Sequence, residues 1–234
     1  MRNVWLHKLA SAAPSRCAIC GAWPASALCQ ACIARFAAPR LRCKRCALPV
    51  PDGAAVCGGC LREAPPLDAC YAAVSYGYPW SGLVARFKFQ GEPGWAASLA
   101  ALMRGIPQVE AELEAADVVL PMPLAASRLA ERGFNQALQL ARELAPQKTS
   151  PKLLLRVRNT GSQAALDKAA RHANVKGAFG IEPLRRGELR GKAVVLVDDV
   201  MTSGASLHAA ADAARQAGAA RVSAVVLART DPPG

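Results

Sequence analysis

Apolar positions along the chain fall into short runs of strand length, separated by longer amphipathic or alanine-rich stretches. The clearest run is Val194-Val-Leu-Val197. Four consecutive apolar residues of this kind fit a parallel strand buried on both faces. Shorter candidates are Tyr71–Tyr76, which alternates weakly, Asp117–Pro121, Leu153–Val157 and Arg221–Ala228. Helical patterns lie between them: Trp80–Phe89, Gly94–Arg104, a segment from Ser127 to about Leu144, and the alanine-rich Leu207–Ala217, which Gly218 would stop. Ile106–Ala116, with three glutamates, reads as a surface helix or loop, and Arg185–Lys192 as a basic turn. Strands alternating with helices predict an α/β domain, a mostly parallel sheet flanked by helices.

The strongest chemistry follows the Val194–Val197 run. Two carboxylates, Asp198 and Asp199, come first, and a loop of small residues, Thr202-Ser203-Gly204-Ala205-Ser206, leads into the alanine-rich helix. In open α/β sheets, ligands bind beyond the carboxyl ends of the strands. A Thr/Ser/Gly loop lets backbone N–H groups curl around an anion, and the helix adds its positive end. Phosphate therefore belongs in the loop, with the Thr202, Ser203 and Ser206 hydroxyls as further donors. The acidic pair suits neutral hydroxyls, as on a ribose, or Mg²⁺. A 5-phosphoribosyl group has both parts. The whole block resembles the phosphoribosyl pyrophosphate (PRPP) loop of type I phosphoribosyltransferases.

Other segments offer cations to such a site. Lys88 sits between two aromatics in Arg86-Phe-Lys-Phe-Gln-Gly91, where snorkelling beside a packed face is the plainer role. Arg132-Gly133 follows the strand that ends at Pro121, and could bring a cation and free backbone to a pyrophosphate. Residues 158–179 are polar, basic and glycine-punctuated, as in a loop that closes over a site. Arg171 and Lys176 in that stretch are candidates to meet a leaving pyrophosphate. His172 reads as a solvated loop residue.

Composition adds a second domain. All but one of the nine cysteines form four Cys-x-x-Cys pairs in the first 60 residues: Cys17/Cys20, Cys29/Cys32, Cys43/Cys46 and Cys57/Cys60. Two such knuckles complete a Cys₄ zinc site, so four imply two structural Zn²⁺ ions. Interleaved pairing is open, and consecutive pairing, as in a double zinc ribbon, is favoured. Disulfides fit poorly without an export signal, although iron–sulfur binding stays open. So small a segment would draw its folding energy from the metal. The lone Cys70 reads as a buried apolar residue. With Pro65-Pro66 as the linker, residues 1–66 form the zinc-binding module and residues 67–234 the α/β domain.

The net charge of +12 is uneven. Residues 1–66 carry +7 and residues 148–192 carry +8, while the remaining stretches are slightly acidic. Two basic zones suit polyanionic partners, either nucleic acid or a multiply phosphorylated small molecule. Thiolate–zinc sites would remove about four of these charges. Aromatic residues make up only 5% of the chain, which limits base stacking. No apolar run is long enough to span a bilayer, and the N-terminus reads as a short amphipathic helix, so a cytoplasmic location is the default expectation.

Taken together, the chain resembles the ComF family of competence-associated, phosphoribosyltransferase-like proteins. The resemblance rests on the four Cys-x-x-Cys pairs, Arg86-Phe-Lys-Phe-x-Gly91, Pro121-x-Pro123, Glu131-Arg-Gly-Phe-Asn-Gln136, Thr160-x₂-Gln163-x₂-Leu166 with Arg171, Asn174 and Phe179, and Val197–Ser206. The family commonly has Thr-Thr-Gly-Ala-Thr in the PRPP loop, and Thr-Ser-Gly-Ala-Ser here keeps the hydroxyls and the glycine. The resemblance implies a type I phosphoribosyltransferase fold behind a zinc module. It implies PRPP with Mg²⁺ and single-stranded DNA as ligands, and a role in DNA uptake during natural transformation or in nutritional use of DNA, beside other DNA-uptake proteins. Two functions compete: a phosphoribosyltransferase with an unidentified acceptor, and a DNA- and partner-binding module whose PRPP site is a sensor or relic.

Overall fold

The computed structural model describes residues 15–158 and 177–231. The chain divides into two compact units, Met1–Ala38 and Pro39–Gly234. The first four-cysteine group therefore has a unit of its own, whereas the second belongs to the α/β unit.

In the first unit, Ser15 and Ala25 exchange backbone bonds at 2.8 Å in both directions. Cys29 then caps helix α1 (Gln30–Phe36), its sulfur accepting from the Cys32 N–H. The second unit opens with a similar arrangement, though its N-cap cysteine makes no side-chain capping bond. Arg42 and Pro49 form a bridge, and Cys57 is the N-cap residue of α2 (Gly58–Arg62).

The α/β unit is built on four strands: β1 (Ala69–Ser75), β2 (Val118–Pro121), β5 (Ala193–Met201) and β6 (Arg221–Arg229). They lie in the order β1-β6-β5-β2, and each neighbouring pair is parallel. Val119 also bridges to Thr149 outside β2. Between β1 and β2 run α3 (Trp80–Phe89), α4 (Trp95–Arg104) and α5 (Val109–Ala115). After β2 come α6 (Ala126–Arg132) and α7 (Gln136–Leu144). A separate antiparallel ribbon pairs β3 (Leu154–Arg156) with β4 (Phe179–Ile181). A 3₁₀ turn over Pro183–Leu189 stands where the basic turn is expected, and α8 (Ala205–Gln216) joins β5 to β6.

Strand alternation sorts the core into two faces. Val194 and Leu196 point to the face shared with Cys70, Ala72, Val222, Ala224 and Val226. This face is covered by Leu207, Ala210, Ala211 and Ala214 of α8, whose small side chains let the helix lie close to the sheet. Cys43, Cys46 and Ala47 of the second cysteine group join the same cluster. On that side the Cys70 N–H donates to the Lys44 carbonyl at 2.8 Å. Cys70 is buried, as expected, and its thiol donates to the Met201 sulfur at 3.6 Å. Elsewhere, α4 packs on α7, β1 and β6.

The two edges of the sheet are chemically different. At the amino edge, acids are engaged in structural pairs. Asp68 accepts from Arg215 and from the Val222 N–H, and Asp117 from Lys192 and the Ala193 N–H. Glu112 takes both arms of Arg221 and the Tyr71 hydroxyl. Thus α5, expected as a surface helix or loop, is a packed helix with Val109 and Leu113 buried. The carboxyl edge is where Asp198 and Asp199 emerge.

Candidate functional site

β5 does not stop at Val197 but continues through the acidic pair to Met201, held by β6 up to the Met201–Arg229 register. On its other side β2 ends at Pro121 beside Val197, and the Met122 N–H donates to the Val197 carbonyl. A cleft of about 370 Å³ opens there, and its lining includes the acids Asp198 and Asp199, the hydroxyls of Thr202 and Ser206, and the cations Lys88, Arg128, Arg132 and Arg156. A smaller recess of about 40 Å³ is lined by the 202–206 loop itself.

That loop requires its glycine. Gly204 has φ +84° and is the N-cap residue of α8. A Cβ there would lie 2.6 Å from Met201 Cε and 2.9 Å from His208 Nε2. The left-handed backbone disfavours any side chain there, and one would also displace the ends of the Met201 and His208 side chains. The loop therefore presents Ser203, Ala205 and Ser206 around the start of a twelve-residue helix, where peptide dipoles favour an anion.

Lys88 reaches Asp199 at 2.8 Å, with both side chains largely buried. Successive residues on a helix point about 100° apart. So Phe87 is in the core, Phe89 is exposed and Lys88 turns into the cleft. Lys88 thus ends on Asp199 in the cleft and does not snorkel out to solvent. Burial, joined by the charge of Asp199, pushes the Asp198 carboxyl up to about 7. Lys88 and Arg132 oppose that rise.

Arg132 is brought in by a staple between α3 and the α6–α7 turn. Gly133, at φ +76°, ends α6, and Asn135 caps α7 while its amide donates to the Met122 carbonyl at 3.0 Å. Phe134 packs on Phe87 with ring centres 5.7 Å apart. The Arg132 guanidinium lies 4.9 Å from the Phe89 ring centre and donates to Gln136 at 3.0 Å. Of the expected site residues, the fold thus gathers Asp198, Asp199, Thr202, Ser203, Gly204, Ala205, Ser206, Lys88 and Arg132. Arg171 lies outside the described residues, as do Lys176, His172 and the N-terminal helix expectation. Sequence reasoning missed Arg128 and Arg156. Arg128 stands one helical turn before Arg132, a spacing that puts both on one face. Arg156 falls inside the predicted Leu153–Val157 strand, but its partner strand starts at Phe179, the end of a stretch that reads as loop.

The cysteines gather consecutively: Cys17, Cys20, Cys29 and Cys32 in one group, Cys43, Cys46, Cys57 and Cys60 in the other. Within each group the sulfurs all lie within 4.8 Å of one another. The Cys20–Cys29 and Cys46–Cys57 sulfur separations are 3.7 and 3.6 Å. Four sulfurs about 2.3 Å from a central ion stand about 3.8 Å apart, so both groups fit a tetrahedral ion. Amide N–H groups point at the sulfurs, Cys29 to Cys17 and Cys57 to Cys43. Burial raises the Cys57 thiol, but the Cys60 N–H and the neighbouring cysteines outweigh it and hold it at about 7.

A parallel sheet with an acidic strand end, a glycine-capped loop and a basic cleft defines a phosphoribosyltransferase-type domain, and residues 129–233 match the family described as Phosphoribosyl transferase domain. Over most of its length the chain is 31% identical to Competence protein F of Haemophilus influenzae, covering 80% of this chain and 84% of that one. It is 29% identical to DNA utilization protein YhgH of Escherichia coli K12, covering 93% and 98% respectively. Competence protein ComFC of Bacillus subtilis is 35% identical over 48% of this chain and 45% of its own. The chain belongs to this ComF family: a phosphoribosyltransferase-type domain preceded by two four-cysteine clusters.

Proposed function

We propose that the cleft binds PRPP with Mg²⁺ and that the protein handles single-stranded DNA during DNA uptake or DNA utilisation. The observation that carries the PRPP part is the order of groups along one strand end: Asp198 and Asp199, then a loop whose Gly204 opens directly into α8. In this reading the loop N–H groups, with Thr202, Ser203 and Ser206, hold the 5-phosphate. Asp198 and Asp199 accept hydrogen bonds from the ribose hydroxyls. In the same reading Lys88 and Arg132, with Arg128 and Arg156 of the cleft lining, meet the pyrophosphate. Arg171 is proposed for the same role on sequence grounds. Mg²⁺, when bound, would offset pyrophosphate charge.

The transfer itself breaks the bond from the anomeric carbon to pyrophosphate and forms one to an acceptor nucleophile. Positive charge grows on the sugar and negative charge on the leaving group. Cations already fixed in the cleft stabilise the latter without reorganising. The DNA part is supported by the names of the relatives and by the basic zones at residues 1–66 and 148–192. Zn²⁺ is the proposed ion in both cysteine groups, as structural closed sites. Reduced thiols gathered for metal suit the cytoplasm. Among the described residues no helix is long and apolar enough to cross a membrane.

The test is calorimetric titration of PRPP–Mg²⁺, followed by an assay of pyrophosphate release with single-stranded DNA present. The double variant Asp198→Asn, Asp199→Asn should lose PRPP binding and keep DNA binding. Joint loss of both would contradict separate sites, and no PRPP binding by the wild type would remove the assignment. Release of pyrophosphate marks a transferase. Binding without release favours the second reading, a DNA-handling module that senses PRPP.

A further inference from the structure

Arg229 ends β6 and is only 4% exposed. Its guanidinium donates to four carbonyls from three separate places in the chain. Nε reaches Cys46 at 2.8 Å. Nη1 reaches Met201 at 3.1 Å, Thr230 at 2.6 Å, and Thr202. The Thr230 N–H returns a bond to the Met201 carbonyl at 2.9 Å. None of the ion pairs among the described residues includes Arg229. A buried cation with no carboxylate in contact is costly; Asp231 and the nearby cysteines oppose that cost from a distance, and a fixed set of carbonyl dipoles holds the guanidinium directly.

The carbonyls are not arbitrary. Cys46 is one of the four sulfurs of the second cluster, and Met201 and Thr202 lead into the 202–206 loop. Parallel links run beside this one. Arg42 joins the Ala47 carbonyl at 2.9 Å to the Ser75 hydroxyl at 3.2 Å, and the Cys70 thiol meets Met201. Four thiolates around a divalent ion carry a net charge of about −2, which supplies the guanidinium with a counter-charge that those ion pairs do not.

We propose that Arg229 is a positioning residue that fastens the Met201–Thr202 entrance of the loop to the Cys46 knuckle. An ion held by Cys43, Cys46, Cys57 and Cys60 and a phosphorylated ligand held by the loop then stabilise one another. The ligand half of this coupling rests on the phosphoribosyl reading, while the contact itself does not. Coupling of this kind is reciprocal: whatever factor the ion adds to ligand affinity, the ligand adds to retention of the ion.

Two measurements on the full chain test it. The first is amide hydrogen exchange in wild type and in Arg229→Lys, which keeps the charge but loses the planar fork. Exchange over residues 201–206 should rise about tenfold, while the centres of β5 and β6 keep wild-type rates. An unchanged loop, or a rise spread evenly over all strands, overturns the proposal. The second is metal release to a chromophoric chelator in a Cys29→Ser background, which leaves one intact cluster to report. PRPP–Mg²⁺ should slow release about threefold or more, and Arg229→Lys should abolish that protection. Protection that persists in Arg229→Lys overturns the coupling. Failure of the wild type to bind PRPP removes the phosphoribosyl reading instead, and the exchange measurement still decides the Arg229 contact.

Discussion

The two cysteine clusters are copies of one small design in different settings. Each has a knuckle whose fifth residue has positive φ, Gly21 at +74° and Ala47 at +56°. Each knuckle is closed by the same backbone bond, at 2.8 Å in both. Each then ends in a helix with a cysteine at its N-cap. The first copy stands in the Met1–Ala38 unit, and a Cβ on Gly21 would meet nothing within 4 Å. The second is part of the sheet's own hydrophobic cluster, with Ala47 fully buried. The same local geometry thus serves one copy as a self-contained fold and the other as part of a larger core.

Ligand removal should show the largest contrast. Cys46→Ser should lower the opening free energy of β5 and β6 by about 3 kcal/mol or more, because metal binding and core packing are lost together. Cys20→Ser should leave those strands within about 0.5 kcal/mol of wild type. Hydrogen exchange of the strand amides reads both, and equal effects would break the comparison.

A smaller effect concerns pH. The Asp198 carboxyl, pushed up to about 7, keeps its proton in the native state across a window where the unfolded chain has lost it. Native stability therefore falls as pH rises from the ordinary carboxylate range towards 7, and Asp198→Asn should flatten that slope. Ribose hydroxyls or Mg²⁺ would favour the ionised form, so PRPP binding should release a proton. Affinity should tighten by up to about tenfold per pH unit below 7 and level off above it. Calorimetry in buffers of different ionisation enthalpy checks the proton count.

The smallest effects come from exchanging the knuckle residues. Gly21→Ala forces a side chain into the left-handed region and should weaken metal retention in the first cluster by about 1 kcal/mol, or fivefold. Ala47→Gly relieves the same strain but removes a buried methyl worth about 0.8 kcal/mol, so its net effect should stay within about 0.5 kcal/mol. Competition with a chelator of known affinity reads the first, and thermal melting the second.

Much of this was legible in the residues because the signals were local. A run such as Val194–Val197, four residues long and rich in β-branched valine, fits a buried strand, and Gly204 between hydroxyls marks a turn into a helix. Four repeats of one cysteine spacing mark metal-type clusters, which the fold gathers as two groups of four. What the sequence hid depended on distant pairing. Arg229 lies just past the predicted Arg221–Ala228 strand, and nothing nearby says that it reaches Cys46, 183 residues away. Arg156 joins the cleft through a ribbon whose second strand, Phe179–Ile181, lies across a polar stretch that reads as loop. The linker at Pro65-Pro66 reads as a boundary by composition, yet the compact units divide at Ala38.

The bond from the Cys70 N–H to the Lys44 carbonyl has a consequence for solubility. Among the described residues β1 pairs with β6 on one side only, which leaves its other side as a sheet edge, the kind of surface that invites strand addition by another molecule. The second knuckle occupies the start of that edge, and Arg42 holds Ser75 at its end. Metal loss would loosen the knuckle and bare a strand of mostly small and apolar residues, Ala69-Cys-Tyr-Ala-Ala-Val-Ser75. The ion in this cluster would then act as a guard against self-association, and preparations stripped by chelator should aggregate before they unfold.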